Sequence, residues 1–283
     1  MTGGTGFTGP FVVRELLASG YQISCLVRTR SDRSQLPTGM RFLDGDFDQP
    51  ESLMTAFRGH QILVNVASLG FGHATAIVQA ALHAKMERAI FFSSTSIFTS
   101  LQPESLQTRL EAEEIIRSSG LASTILRPTM IYGGPGDRNI SRLVRYLRRW
   151  RVLLIPGRKG ALQQPVLADD LAAAVVSCLA SPSTEGKCYE LAGGSRLTMK
   201  NMVQLIGRLL GIRVLALLVP AQPWVNLLQL MEKWGAKCPI SAEQILRLSE
   251  DKVFDNTPAS RDFGYQPRVF EEGVRLLLSR LRS

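Results

Sequence analysis

Cysteine, histidine and tyrosine are scarce in this chain, and each scarcity narrows what it can do. Four cysteines (Cys25, Cys178, Cys188, Cys238) stand far apart among 283 residues, with no C-x-x-C pair. Free core thiols in a reducing compartment are expected. His60, His73 and His83 lack metal-ligand spacing, so no metal site is expected. No apolar run has the quality of a membrane span. The best candidate, Ile212 to Trp234, is interrupted by Pro220 and Pro223. A buried strand or extended piece, then a helix, is expected there, with an amphipathic element resting on a membrane as the alternative. The first ten residues, rich in glycine and threonine, do not read as a secretory leader. A cytoplasmic protein is expected.

What is present supports a large core. Apolar residues make up 45% of the chain, enough for one large domain or a domain with a smaller lobe. The formal net charge is +9, and its densest run is "RLVRYLRRWR", Arg142 to Arg151. At helical spacing Arg142, Arg145 and Arg149 share one face, while Leu143, Val144 and Leu147 offer an apolar one. That face is either simply solvated or a patch for phosphate or acidic lipid. Nucleic acid is not expected as a partner, because no recognition module accompanies the charge.

Short apolar runs alternate with helical ones along the first half. "YQISCLVR", "MRFLDGD", "QILVNVAS", "ERAIFFSS" and "ASTILRP" read as strands. "PESLMTAFRG", "HATAIVQAALHAK" and residues 105 to 118 read as helices. The pattern predicts an α/β fold: a Rossmann-type doubly wound parallel sheet with a small interleaved C-terminal lobe. Residues 1–133 are expected to form a dinucleotide-binding core. Residues 134–283 are expected to hold the remainder of that core (about 165–192) and a small α/β substrate lobe.

The chain opens "MTGGTGFTGP", with glycines at 3, 6 and 9 ahead of a helix that Pro10 and Gly20 bracket. Gly3 permits a tight turn, Gly6 lets backbone approach a pyrophosphate, and Gly9 lets the helix sit close to the sheet. Such a turn ordinarily follows a strand, and only Met1 and Thr2 precede it. The first strand is therefore expected to be missing or truncated, with the natural protein beginning upstream. The next strand ends in "LVRTRS", offering Arg28 where an unphosphorylated ribose would call for an acid. Guanidinium groups suit a 2′-phosphate, so NADP is expected as cofactor, with NAD as the alternative.

On these motifs the sequence resembles the extended or atypical short-chain dehydrogenase/reductase superfamily, of the NAD-dependent epimerase/dehydratase type. It is most similar to the branch that includes the nucleotide-binding accessory subunit of respiratory complex I and its bacterial relatives. The resemblance covers almost the whole chain. It implies cofactor contacts from Gly3, Thr5, Gly6, Phe7 and Gly9, from Asp46 in "DGDF", and from Asn65 and Ala67 after "QILV". It implies further contacts from Pro128 and Ile131 in "RPTMIYG". It places the catalytic serine at Ser94 in "SSTSIF", with Ser93 and Thr95 close by.

Active members of that superfamily carry a tyrosine and a lysine four residues apart on the following helix. Here the lysine position matches Arg109 and the tyrosine position Ser105. An aliphatic hydroxyl is a far poorer acid than a phenol, and a guanidinium cannot relay a proton. Arg109 keeps a cofactor-binding role as a donor fork, or forms a salt bridge to Glu113 at i,i+4. Tyr132 and His73 are the substitutes weighed for the missing acid, with core packing and helix capping as their alternatives. An oxidoreductase acting on a carbonyl or double bond through Ser94, Ser105 and Arg109 is one expected function. A non-catalytic cofactor-bound structural, assembly or sensor protein is the other. Expected partners are an unknown small-molecule substrate, a peripheral membrane or protein-complex contact, and a second copy in a homodimer through helices around residues 72 to 118.

Overall fold

The structure is a computed structural model and describes residues 1–101, 103–157, 160–234 and 242–282. Cys238 lies outside the described residues. The glycine-rich opening leads into α1 (Gly9–Ala18), and Gly20, at φ +85°, turns the chain after it. There follow β1 (Ser24–Val27), β2 (Arg41–Asp44), α2 (Pro50–Phe57), β3 (Ile62–Asn65), α3 (Ala74–His83) and β4 (Arg88–Phe92). Then come α4 (Glu104–Ser118), β5 (Ser123–Pro128), β6 (Ile131–Tyr132), α5 (Ile140–Arg149), β7 (Val152–Pro156) and β8 (Leu162–Gln163). The last third holds β9 (Val166–Leu167), α6 (Ala168–Leu179), β10 (Cys188–Leu191), β11 (Leu197–Thr198) and α7 (Met199–Leu209). It closes with β12 (Leu215–Val219), α8 (Ala221–Lys233), α9 (Ala242–Leu248), α10 (Thr257–Phe263) and α11 (Phe270–Arg280).

The sheet is parallel, as the alternation predicts. Four strands run in the order β10-β5-β4-β3, and β1 pairs in parallel with β2. Met1 and Thr2 join the two groups. Thr2 N–H donates to Val64 O at 2.9 Å, Val66 N–H donates to Thr2 O at 3.0 Å, and Leu26 N–H donates to Met1 O at 2.8 Å. These two residues thus sit between β1 and β3, where the central strand of a doubly wound sheet runs.

Both faces are covered, so β1, β4 and nearly all of β5 are buried, Arg88 and Thr124 with them. One face packs Leu53, Ile77, Phe91 and Ile116 beneath α2, α3 and α4. The other packs Val12, Ile90, Leu171 and Tyr189 beneath α1, α6 and α10. A third cluster, with Val144, Met202, Ile206 and Val274, forms the core of a lobe built from α5, α7, α11 and the parallel pair β7–β12. The apolar stretch after Ile212 does form a strand and then a helix, but Leu215, Leu217 and Leu218 of β12 are exposed rather than buried.

Two ion pairs anchor the lobe to α6. Asp170 takes Arg268 through both its backbone and its guanidinium, and Asp169 takes Arg280 at 2.7 and 2.9 Å. The two aspartates therefore serve as ties. Neither caps α6, whose N-cap is Leu167 with no side-chain bond.

Candidate functional site

The opening loop is shaped by its glycines. Gly3 has φ +72°, and a Cβ there would collide with the backbone N of Ala67. A Cβ on Gly9 would strike the carbonyl oxygen of Gly4. Gly3 makes the turn and is also pressed against the sheet, while Gly9 is required by the loop's own fold-back onto Gly4. Gly6 N–H donates to Gly3 O at 3.0 Å, and Gly9 N–H donates to Gly6 O at 3.1 Å. Gly6 itself is exposed, and a Cβ on it would meet only Gly3 O, at 3.3 Å. No side chain caps α1; with Gly9 N–H bonded to Gly6 O and Pro10 lacking a donor, Phe11 N–H is the first-turn donor left for an anion.

Asn65 supports this loop from beneath. It is fully buried, accepts the Thr2 hydroxyl and donates to Ala67 O at 3.1 Å. Phe7 meets Phe11 edge-on at 5.8 Å and lies against Gly134 and Gly136, where a Cβ would come within 3.5 Å of its ring. The "GGPG" loop therefore folds over the opening loop, a proximity that no spacing in the sequence indicates.

Arg28 and Asp46 line one cavity, with Thr29, Arg30 and Ser31; it is open, about 410 Å³ in volume, and lies beside the end of β1. Ser31 holds the turn through its hydroxyl, which accepts Arg28 N–H at 3.1 Å. Asp46 is the only carboxylate of this lining and follows β2, whose end pairs with the end of β1.

The second cluster lies past β4. Ser94 is half-buried, and its Oγ accepts Ser96 N–H at 3.1 Å, starting the one-turn helix Thr95–Phe98. Its hydroxyl hydrogen is left free to donate. Thr95 is engaged elsewhere, donating to Pro128 O at 3.2 Å, while Ser93 Oγ is buried with no partner among the described residues. Pro128 is buried at the end of β5, and Ile131 is half-buried on β6 beside β9. On α4, Arg109 Nη1 donates to Ser105 Oγ at 2.8 Å, so both lie on one helical face. The guanidinium also lies over Gly70, where a Cβ would come within 3.0 Å of it. Burial, aided by the nearby charge of Arg247, lowers its pKa.

Arg109 does not pair with Glu113. That carboxylate is buried and binds Arg127, which also donates to Glu190 at 2.9 Å. The tyrosines are all engaged away from Ser94 and Ser105. Tyr132 is buried against Phe270, with its hydroxyl pressed on Gly273, and burial pushes its pKa up. Tyr189 donates to Asp262 at 2.7 Å, Tyr265 to Ala192 O at 3.0 Å and Tyr146 to Val152 O at 3.1 Å, while Tyr21 packs beside α1. His73 stands at the N-cap position of α3, 3.6 Å from Asp48 and stacked on Phe47. Among the described residues no group of His, Cys, Asp or Glu could hold a metal ion.

One contributor comes from far along the chain. Glu250 accepts the Thr99 hydroxyl at 2.8 and 2.9 Å and both the N–H and hydroxyl of Ser100. Phe254 stacks near Phe98 at 5.6 Å. The C-terminal segment thus closes on the chain just past Ser94, across about 150 residues of sequence that give no local signal.

A glycine loop between parallel strands at a helix N-terminus, with an arginine-lined cavity beyond it, defines a dinucleotide-binding Rossmann protein. A family model described as NAD(P)H-binding matches residues 3–182. The chain belongs to that family. It is 25% identical to the 2-alkyl-3-oxoalkanoate reductase of Shewanella oneidensis over 99% of this chain and 85% of that one. It is also 25% identical to subunit 9 of the mouse mitochondrial NADH dehydrogenase 1 alpha subcomplex, over 95% and 76%. Its fold matches the Citrobacter triphenylmethane reductase complexed with NADP(H), with a TM-score of 0.75, 21% identity and coverage of 97% and 98%. It likewise matches a double mutant of the Streptomyces venezuelae dTDP-glucose 4,6-dehydratase DesIV with NAD and DAU bound, with a TM-score of 0.76, 20% identity and coverage of 100% and 96%.

Proposed function

We propose that this chain is an NADP-preferring oxidoreductase that reduces the carbonyl of an oxo acid or a related polarised double bond. The carrying observation is the single cavity that unites Arg28 with Asp46 at the end of β1. Arg28 is exposed there and can fork onto a 2′-phosphate, while the neighbouring Asp46 serves the adenine end. Gly6 and the uncapped start of α1 take the pyrophosphate.

The bound nicotinamide would supply hydride. The chain's own groups then have to stabilise the oxyanion that hydride addition creates. Ser94 has a free hydroxyl hydrogen for this, because its oxygen already accepts from Ser96. Ser105 is likewise free to donate, because its oxygen accepts from Arg109. Arg109 has no carboxylate partner among the described residues, so its charge remains available to an acidic substrate. The proton comes from solvent through these hydroxyls. The S. oneidensis relative, by its name, acts on a 3-oxo acid, which supports this substrate class.

A second reading is favoured by the serine at position 105. Without a phenol, the site suits a retained cofactor that shapes a protein contact rather than turning over. The likeness to a subunit of NADH dehydrogenase supports that role. Homodimerisation through α3 and α4 belongs with either reading.

One experiment separates them. The purified chain is supplied with NADPH or NADH and a panel of 3-oxo acids and quinones, beside Ser105→Tyr. Turnover with NADPH, equal to or above that of Ser105→Tyr, supports the oxidoreductase. Tight NADPH binding without turnover in either protein supports the non-catalytic reading. Failure to bind any dinucleotide overturns both.

A further inference from the structure

All three tryptophans of the chain, Trp150, Trp224 and Trp234, are exposed, by 40 to 81%. All three lie in the stretch from α5 to α8, far in sequence from the opening glycines. Tryptophan is ordinarily among the more buried residues, and three exposed in one region need a physical reason.

The same region exposes aliphatic surface. β7 and β12 run in parallel register, with Leu215 opposite Val152 and Leu217 opposite Leu154. These four side chains share one face by the period of two, and each is 42 to 54% exposed. The opposite face carries Ala216, which is buried in the lobe core. The strand pair therefore turns an aliphatic face outward, where a solvated sheet face would carry polar residues. Immediately after β12, α8 exposes Trp224, Leu227 and Met231, and Trp234 follows on the same helical spacing.

Basic residues are concentrated in the same part of the sequence, where α8 also carries Glu232. Residues 138–168 and 191–231 together hold twelve arginines and lysines and no aspartate or glutamate. The rest of the chain is net acidic, so the whole positive excess belongs to these two segments. α5 buries Ile140, Val144 and Leu147 and leaves its arginines on the outer side. Arg149 lies over the Trp150 ring at 5.4 Å, and Leu215 N–H donates to Arg151 O at 2.8 Å. The basic residues thus border the N-terminal ends of the exposed strand pair. No carboxylate pairs with Arg142, Arg148, Arg149 or Arg151 among the described residues.

We propose that the outer face of β7 and β12, the tryptophan face of α8 and the arginines of α5 dock this protein on an anionic lipid surface. Aliphatic side chains and indoles enter the headgroup boundary while guanidinium groups meet lipid phosphates. Nucleic acid would answer the arginines and leave the aliphatic sheet face uncovered. A protein partner would answer the aliphatic face and would need its own acidic surface to match two acid-free segments. No helix among the described residues is long and apolar enough to cross a membrane, so the attachment is peripheral. Arg145 of α5 reaches Pro135 O beside the glycine loop at 3.2 Å, but Arg148, Arg149, Leu154 and Leu217 are not among the residues assigned to the dinucleotide, so its binding is measured independently of those four.

The test uses the full chain and vesicles of phosphatidylcholine, with or without about a third phosphatidylglycerol. Wild type is expected to sediment with the anionic vesicles only, to be released by high salt, and to shift its tryptophan emission to shorter wavelength on binding. Leu154→Glu with Leu217→Glu, and separately Arg148→Glu with Arg149→Glu, are each expected to lower the partition coefficient about tenfold or more, with NADPH binding unchanged. Should the leucine pair unfold the lobe, the arginine pair on the outside of α5 gives the same reading. Wild type remaining in the supernatant with both vesicles overturns the proposal, as does equal binding to neutral and anionic lipid. So does a leucine pair that splits a dimer in size-exclusion chromatography while leaving sedimentation unchanged, because the face is then an interface between copies.

Discussion

Gly3 meets two constraints at once: a left-handed backbone at φ +72° and the backbone of Ala67 in the space a side chain would fill. Gly3→Ala is therefore expected to destabilise the fold by about 2 kcal/mol, from backbone strain with the clash added. It should abolish dinucleotide binding, as read by urea denaturation and NADPH fluorescence. Gly20→Ala, with a similar φ but open space around it, should lose stability and keep binding. Arg28 makes no such structural contribution. Arg28→Ala is expected to weaken NADPH binding about tenfold, the worth of one charge-assisted phosphate contact, and to leave NADH binding unchanged. Equal loss with both cofactors would show that Arg28 does not read the 2′-phosphate. These residue-scale roles were partly legible in sequence. The glycine spacing and the arginine at a strand end are local, while the fold-back that makes Gly9 indispensable and the burial of Asn65 come from contacts across the sheet.

At the scale of elements, α4 and β5 are joined by a buried charge pair. Glu113 is nearly inaccessible and binds Arg127, which reaches on to Glu190 of β10. Glu113→Gln leaves the guanidinium short of its partner and is expected to cost about 3 kcal/mol in urea unfolding. The sequence suggested a different partner, Arg109 at i,i+4. Helical spacing brings residues onto one face but does not say which face is buried, and the sheet took Glu113 inward.

The join between residues 99–100 and Glu250 has a pH signature. Burial works to raise the Glu250 pKa, but hydrogen bonds from Ser100 and Thr99, with the charge of Lys252, outweigh it and lower the pKa. A depressed carboxylate contributes stability above its unfolded value, near 4.3, and loses it as pH falls through the folded value. Glu250→Gln is expected to cost about 1 kcal/mol at neutral pH, since the group is partly screened by solvent. The difference from wild type should begin to shrink in urea titrations as pH falls below about 4.3 and vanish only below the depressed folded value. A difference that persists in acid would show that the clamp does not depend on the carboxylate charge.

For the whole molecule, dinucleotide binding couples the loop at the start of the chain to the stability of the sheet. Met1 and Thr2 are hydrogen-bonded to both β1 and β3, so a ligand held by the following loop stabilises the join between the two groups of strands. NADPH at a hundred times its Kd is expected to add about 2.7 kcal/mol to unfolding free energy. That shows as a rise in thermal midpoint, and NADH at equal concentration should give a smaller one. The thiols of Cys25 and Cys178 are buried, with pKa values raised by burial. Both should resist alkylation until the protein unfolds.

The order of strands and helices, the glycine loop with its arginine-bearing strand end, and the absence of a tyrosine four residues before Arg109 were all determined by the sequence alone. Each depends on neighbours a few residues apart, where periodicity and backbone preference act directly. Tertiary structure alone decided that Glu113 takes Arg127, that Glu250 closes on Ser100, and that the strand expected to be buried at Leu215 turns its leucines outward. Those outcomes depend on which surfaces meet, across 14 residues for Glu113 and 150 for Glu250, or on whether any partner surface covers a face at all. Neither is written in local spacing, because burial belongs to the assembled molecule rather than to the segment.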